Sequence, residues 1–463
     1  MKLALIILLF LVNITMLIAS IPLSLDESIE VALENNKELQ AQEKGARAAY
    51  WSQYNTLSNF FPQAYFNATA VRIDDKTYDR ATEMFQIPVF GPNHLPTGDY
   101  IPFSAGAMNG IHRTTYRTNF TVQQPIFNGG KILLVYQISR LARQQADNAL
   151  ESKQYDVSQR VAEAYFNILK LKDMYFIIDK SMTSVESHLE RVRQLQEQGM
   201  ARQSDVLQWQ VRLQEYLASS REVYDNIEII LELWNNMMGM TGKAYRPLEI
   251  DLSKYDELID HYNTLNETQI EGFIIDNVKD LEKYNPEMQN IELTRKLMDK
   301  QYTISKGNFL PSLNLQFTYE LENDDKLDLS GDRNWNLAAV LSFPLFRGGA
   351  NYTNLQRARN EKREVEYATS ALEDYMRLET RRLSRQLIIN AMKIESNKLA
   401  LDYARENYDI LSNLFEQGLL TSSDLLDADT MLISAETNLI ASYYDFIITR
   451  YELNKYTTLK EVK

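Results

Sequence analysis

Apolar positions along this chain follow two different periods, and the two occur in separate blocks. From Val157 through Val161, Ala164, Ile168, Leu171, Tyr175, Ile178, Met182, Val185, Leu189 and Val192 the spacing alternates between four and three. A strict seven-residue repeat of this kind predicts helices that pair with left-handed supercoiling. A helix over residues 131–198 would be about 100 Å long at 1.5 Å per residue, and a second such rod is predicted over 350–417. The other period is two. "LNLQFTYEL" puts Leu313, Leu315, Phe317, Tyr319 and Leu321 on one face and Asn314, Gln316, Thr318 and Glu320 on the other. "WNLAAVLSF" alternates likewise apart from Val340, and "YRTNFTVQQ" sets Tyr116, Thr118, Phe120 and Val122 against Arg117, Asn119, Thr121 and Gln123. Strands are therefore predicted at about 63–72, 115–124, 312–321 and 334–343, the first of them the least regular. Roughly ten residues with an apolar and a polar face is the pattern of a membrane β-strand, although one strand of a soluble sandwich alternates in the same way. Four strands cannot close a barrel, and an open sheet cannot sit in lipid with unpaired edges, so membrane strands here would require several chains to share one barrel.

The blocks recur. "ENNKELQ" from Glu34 answers "KYNPEMQ" from Lys283, and "NFFPQAYFN" from Asn59 answers "NFLPSLNLQ" from Asn308, both at an offset of 249. "QQPIFNGG" answers "SFPLFRGG", and "EQGMARQSDVL" from Glu197 answers "EQGLLTSSDLL" from Glu416, now at 219. The offset changes once, between the two Pro-centred words, where the first copy carries a longer insert. This is a duplicated helix-strand-strand-helix unit with one loop of variable length. The predicted copies span residues 21–240 and 282–463, with a linker at 241–281 and return helices at 204–238 and 422–456. Gly199 and Gly418 end the rods, where glycine relieves the left-handed conformation after a helix. Thr421, Ser422 and Ser204 are candidate caps of the return helices, and Asp205 and Asp424 suit the positive end of the helix dipole. Capping does not explain Asp427, one turn further in.

Composition narrows the function. The chain of 463 residues carries a formal charge of -14, which gives no basic surface for nucleic acid. It has no Cys, so thiolate metal sites, disulfides and a cysteine nucleophile are excluded. None of the phosphate-loop, dinucleotide, zinc-protease or nucleophile-elbow motifs is present, and the four His residues have no ligand spacing, so neither an enzyme nor a cofactor is expected. Residues 1–20, "MKLALIILLFLVNITMLIAS", read as a cleaved signal peptide; no Cys follows them, so an N-terminal lipid anchor is not expected.

In this order and duplicated, "FFPQAYF" and "FLPSLNL", "QPIFNGG" and "FPLFRGG", and the turn "EQGLLTSSDLLDAD" make the chain resemble the TolC family of outer-membrane efflux proteins over essentially its whole mature length. The resemblance implies a mixed membrane β-barrel plus long α-helical coiled-coil tunnel: a homotrimer sharing one twelve-stranded barrel and one twelve-helix tunnel that extends from the outer membrane into the periplasm. It implies a girdle at about 21–35, 241–281 and the C-terminal end, and partners in a periplasmic adaptor and, through it, an inner-membrane transporter. Asp424 and Asp427 match the acidic rings of the family's tunnel entrance, while Gly199, Met200, Gly418 and Leu419 match the tip turns that meet the adaptor. Where one branch of the family carries a Tyr and an Arg that bond the Asp of the first tip, this chain has Phe415 and Leu420 beside Asp205, so closure is expected to rest on packing. The expected function is a passive exit duct for small solutes or drugs. A protein-secretion duct of the same fold is one alternative, and a soluble periplasmic coiled-coil scaffold is another.

Overall fold

The computed structural model describes residues 21–103, 111–240, 245–323 and 332–457. The leader expected at residues 1–20 lies outside them. The first copy contains β1 (Ile21–Leu23), α1 (Leu25–Asn35), α2 (Lys37–Leu57), β2 (Gln63–Arg72), α3 (Asp75–Ala81), β3 (Phe85–Phe90), β4 (Pro96–Phe103), β5 (Thr114–Asn128), α4 (Lys131–Glu197) and α5 (Gln203–Met237). Then come β6 (Tyr245–Pro247), α6 (Asp256–Asn263), α7 (Glu267–Tyr284), α8 (Pro286–Gly307), β7 (Ser312–Asn323), β8 (Asp332–Ser342), α9 (Ala350–Glu416) and α10 (Ser422–Tyr456). Two compact units result, one built from Met1–Ala49, Ala142–Lys296 and Glu364–Lys463, the other from Tyr50–Leu141 and Leu297–Arg363.

The first unit is helical. The heptad positions Val157, Val161, Ile168, Val185 and Val192 are buried, as a seam that faces partner helices must be. Around Val161 and Ile168 the core gathers Trp234, Ile259, Ile274, Leu387 and Phe446. The repeated word at Asn36 and Asn285 is a joint between stacked helices. Asn36 Oδ1 accepts from the backbone N–H of Glu38 and Leu39, both at 3.0 Å, while its Nδ2 donates to the Met237 carbonyl at 2.9 Å. Asn285 does the same with Glu287, Met288 and the Lys455 carbonyl. One buried amide thus starts a helix and ties it to the end of a return helix, which satisfies groups that burial would otherwise leave unpaired. Residues 245–281 of the expected linker contain regular elements. Parallel β1 and β6 pair Ile21 with Tyr245, and α7 runs on to Tyr284, past the expected boundary at 281.

The second unit holds a four-stranded antiparallel sheet in the order β2-β5-β7-β8. Its register aligns side chains in rows across all four strands. Phe66, Phe120, Tyr319 and Trp335 form one row, and Ala64, Val122, Phe317 and Leu337 the next. The opposite face carries Tyr65, Thr121, Thr318 and Asn336, then Asn67, Asn119, Glu320 and Asn334. There Asn67 Nδ2 donates to Asn119 Oδ1 at 3.0 Å, and Arg117 reaches Glu320 at 3.1 Å and Glu322 at 3.2 Å. Over these rows one face is apolar and the other polar; Val71 and Val340 interrupt the polar face, and Arg72 and Arg333 lie toward the far end of the apolar one. β5 is longer than the expected 115–124, because β7 continues to pair with it through an irregularity between Pro125 and Phe127. The first-copy insert forms α3 and the hairpin β3–β4, which the prolines at 88, 96 and 102 had hidden from a period-two reading. Arg113 anchors α3 through Asp75 and Asp79, each at 3.5 Å.

Candidate functional site

The two repeated turns end their rods in the same way. Gly199 and Gly418 both take φ +73°, the left-handed region that an L side chain resists. At the first turn Met200 N–H donates to the Leu195 carbonyl at 2.8 Å and Gly199 N–H to Gln196 at 2.9 Å. At the second, Leu419 donates to Leu414 at 3.0 Å and Gly418 to Phe415 at 2.9 Å. These paired bonds satisfy the last carbonyls of each rod and project the next side chain outward. Met200 and Leu419 are accordingly 67% and 70% exposed.

Each return helix then starts on a carboxylate. Asp205 Oδ2 accepts from the Arg202 backbone N–H at 2.9 Å, so Ser204 is not the cap. Thr421 caps α10: its hydroxyl donates to Asp424 Oδ2 at 2.5 Å and accepts from the Asp424 N–H at 3.4 Å, while Ser422 lies buried inside the helix. Asp427 is exposed and makes no hydrogen bond or ion pair among the described residues; it borders a depression of about 360 Å³ with Leu207, Arg212 and Leu426. A cleft of about 490 Å³ between the turns gathers Met200, Asp205, Phe415, Gly418 and Leu420. Asp424 and Asp427 do not line that cleft, and neither do Gly199 and Leu419.

Beneath the turns Phe415 joins a buried polar and aromatic cluster whose other members, His188, Trp209, Tyr216, Tyr408 and Asp429, were not candidates in the sequence. Phe415 is buried, with Trp209 at 6.5 Å and the His188 ring at 6.3 Å edge-on. His188 stacks near Trp209, centroids 5.0 Å apart, and its Nε2 lies 2.9 Å from the Tyr408 hydroxyl, which also contacts Ser184 at 3.1 Å. Burial pushes the His188 imidazole below its ordinary value, and Glu416 opposes that shift. On the return helices Tyr216 donates to Asp429 Oδ2 at 2.6 Å, and Arg212 lies over the Tyr216 ring while donating to Thr430 at 2.6 Å. Burial raises the Asp429 carboxyl above the ordinary aspartate range; the Tyr216 hydroxyl and Arg212 work against it. A signal for Asp429 existed. It follows Leu425 by four and Leu426 by three, which sets it on the apolar stripe of α10.

Comparison with known proteins supplies the class. The sequence profile described as outer membrane efflux protein matches residues 28–223 and 277–458. The chain belongs to that family. It is 23% identical to outer membrane protein TolC of Vibrio cholerae over 323 residues, covering 67% of this chain and 69% of that one. It is also 23% identical to the alkaline protease secretion protein AprF of Pseudomonas aeruginosa over 355 residues, covering 74% and 69%. Among solved structures, the CmeC outer membrane channel of Campylobacter jejuni superposes with a TM-score of 0.74 at 15% identity, over 93% of this chain and 85% of that one. The fold is shared with that channel, and the protein is an outer-membrane channel of the efflux and secretion class. The soluble scaffold reading is thereby set aside. No helix among the described residues is long and apolar enough to cross a membrane.

Proposed function

We propose that three copies, each giving its four strands, close one twelve-stranded barrel whose apolar face meets lipid, and that the helices join in a twelve-helix tunnel that passively exports small solutes or drugs. A periplasmic adaptor and, through it, an inner-membrane transporter would deliver them. The observation that carries this reading is the sheet itself: one apolar face, one polar face, and an unpaired edge on both β2 and β8, which lipid would not tolerate in a lone chain. Met200 and Leu419, held outward beside Gly199 and Gly418, offer the adaptor two apolar knobs. Phe415 and Leu420 hold the turns shut by packing, and Asp205 serves its own helix start. Asp427, exposed and unpaired, is the better candidate for a charge in the entrance; Asp424 shares its carboxylate with the Thr421 cap.

The export reading is tested by deleting the gene. Sensitivity to small toxic compounds with an unchanged set of secreted proteins is expected. Loss of a secreted protein with unchanged sensitivity would favour the secretion duct, a second reading supported by the likeness to a protease secretion protein. For the entrance, reversal potentials in a salt gradient should shift toward lower cation selectivity in Asp427→Ala more than in Asp424→Ala. Parental values in both variants would remove these carboxylates from the limiting aperture.

A further inference from the structure

Sheet register and sequence duplication agree residue for residue. Moving β2 forward by 249 and β5 by 219 converts the pair Gln63↔Gln123 into Ser312↔Ser342 and Arg72↔Thr114 into Leu321↔Arg333, and both of the resulting pairs are present. The remaining junction, β5 with β7, joins the second strand of the first copy to the first strand of the second. Its duplicate would join β8 to β2, yet these lie at opposite edges of the sheet. Only a neighbouring copy can supply it.

The two halves also differ where that neighbour is missing. β5 has 15 residues and runs through Pro125 to Asn128 against β7, whereas β8 has 11 and stops at Ser342. The five residues that follow include Leu345 at 83% and Phe346 at 84% exposure. Their counterparts Ile126 and Phe127 lie within β5. The same asymmetry recurs one step later. A Cβ on Gly129 would collide with the Gly307 carbonyl and press on Leu310, while its counterpart Gly348, also at positive φ, has nothing within 4 Å. Duplication places Ser58 and Phe61 of the adjacent copy where Gly307 and Leu310 stand.

We propose that β8 pairs with β2 of the neighbouring copy in the register Ala339↔Ala70, Ser342↔Asn67 and Phe343↔Phe66, and that on assembly it extends to Phe346↔Ala64 and Arg347↔Gln63 with Gly348 against Ser58. This rests on the shared-barrel reading above and adds to it the residues that meet. The parity is self-consistent: Phe343 joins the apolar row that begins at Phe66, and Ser342 joins Asn67 on the polar face. A slip of one residue would turn Phe343 to the polar side and is disfavoured on that ground.

The 463 residues include no Cys, so introduced thiols report without background. Directly opposed strand residues have Cα atoms roughly 4.5–5.5 Å apart, within disulfide reach, while positions two residues off are about 7–8 Å away. In isolated outer membranes under mild oxidation, Ser342→Cys with Asn67→Cys should give linked dimers and trimers on a non-reducing gel. Ser342→Cys with Tyr65→Cys or Thr69→Cys should give at least fivefold less. Ala339→Cys with Ala70→Cys repeats the test with small replacements, in case the polar-face pair disturbs folding. Stronger linkage to position 65 or 69 would overturn the register and leave the shared barrel standing. No linkage between copies in any pair would overturn the shared barrel and the register together. The extension is read separately: Phe346→Cys should link to Ala64→Cys, and a missing link beside a strong 342–67 link would end the strand at Ser342 and sink that half of the proposal.

Discussion

The two hairpin turns are alike at the backbone and unlike inside. Both rods close with the same pair of hydrogen bonds around a left-handed glycine, and both return helices begin on an aspartate that accepts from the backbone three residues before it. Interior positions have diverged. Trp209 and Tyr216 of α5 correspond to Ala428 and Ala435 of α10, Asp429 to Gln210, His188 to Asn407, and Phe415 to Gln196. Bulk on one return helix is matched by small residues on the other, and the buried carboxylate on α10 meets a hydroxyl on α5. Turn geometry is a local requirement that each copy must satisfy by itself. Packing between copies is relational, and two identical bulky faces could not fill one space at interior density.

The largest expected effect tests this division of bulk. Trp209→Ala and Phe415→Ala should each cost about 3–5 kcal/mol of stability in chemical denaturation followed by helical circular dichroism. Gln196→Ala, at the place corresponding to Phe415, should change stability by no more than about 0.5 kcal/mol. Phe415→Ala should also raise resting single-channel conductance, and high salt should raise it less, because screening weakens ion pairs and not apolar contact. Equal losses at positions 196 and 415 would erase the distinction between the turns.

A smaller effect is expected at the contact between the return helices. Tyr216→Phe strips the buried Asp429 of its donor and should cost about 1–3 kcal/mol, while Asp429→Asn keeps an acceptor and should cost less. Because burial raises the native Asp429 pKa, the native state holds its proton to higher pH than the unfolded chain does. That contribution is complete below the unfolded value, about 3.9, and is lost as pH rises through the raised native value. Stability measured across that acid range should lose this limb in Asp429→Asn.

His188 bears the opposite sign. Its native pKa is lowered, so the unfolded chain takes up the proton first, and stability falls as pH drops from about 6.5 to the native value before levelling. Tyr408 and Glu416 are the titratable groups facing it. His188→Asn, which installs the residue found at the corresponding place in the second copy, should flatten this limb in unfolding titrations. A parental slope in that variant would assign the acid sensitivity elsewhere.

The smallest effects should be the ones the turns share. Asp205→Ala and Asp424→Ala remove equivalent carboxylates from helix starts and should each cost about 0.5–1 kcal/mol in the same denaturation assay. Asp424→Ala should be the costlier of the two, because Thr421 loses its reciprocal partner as well. A larger loss at Asp205 would mean that the first turn depends on its aspartate for more than capping.

What the chain announced by itself was whatever depends on near neighbours. The seven-residue spacing marked the rods, alternation marked the strands, and glycine followed by a small polar run marked the turns, since each is a local response to sterics and backbone hydrogen bonding. The repeated words at Asn36 and Asn285 were visible too, although their role as stacking joints needed the return helices beside them. Tertiary structure decided the rest. Tyr216 and Asp429 are 213 residues apart, and no periodicity pairs them. The row from Phe66 to Trp335 exists because three separate registers agree in parity, which no single strand can specify. Burial made the same choice among the three carboxylates of "DLLDAD": identical in chemistry, Asp424 became the partner of the Thr421 cap, Asp427 stayed in solvent and Asp429 entered the core, because only the packed helices determine which face loses its water.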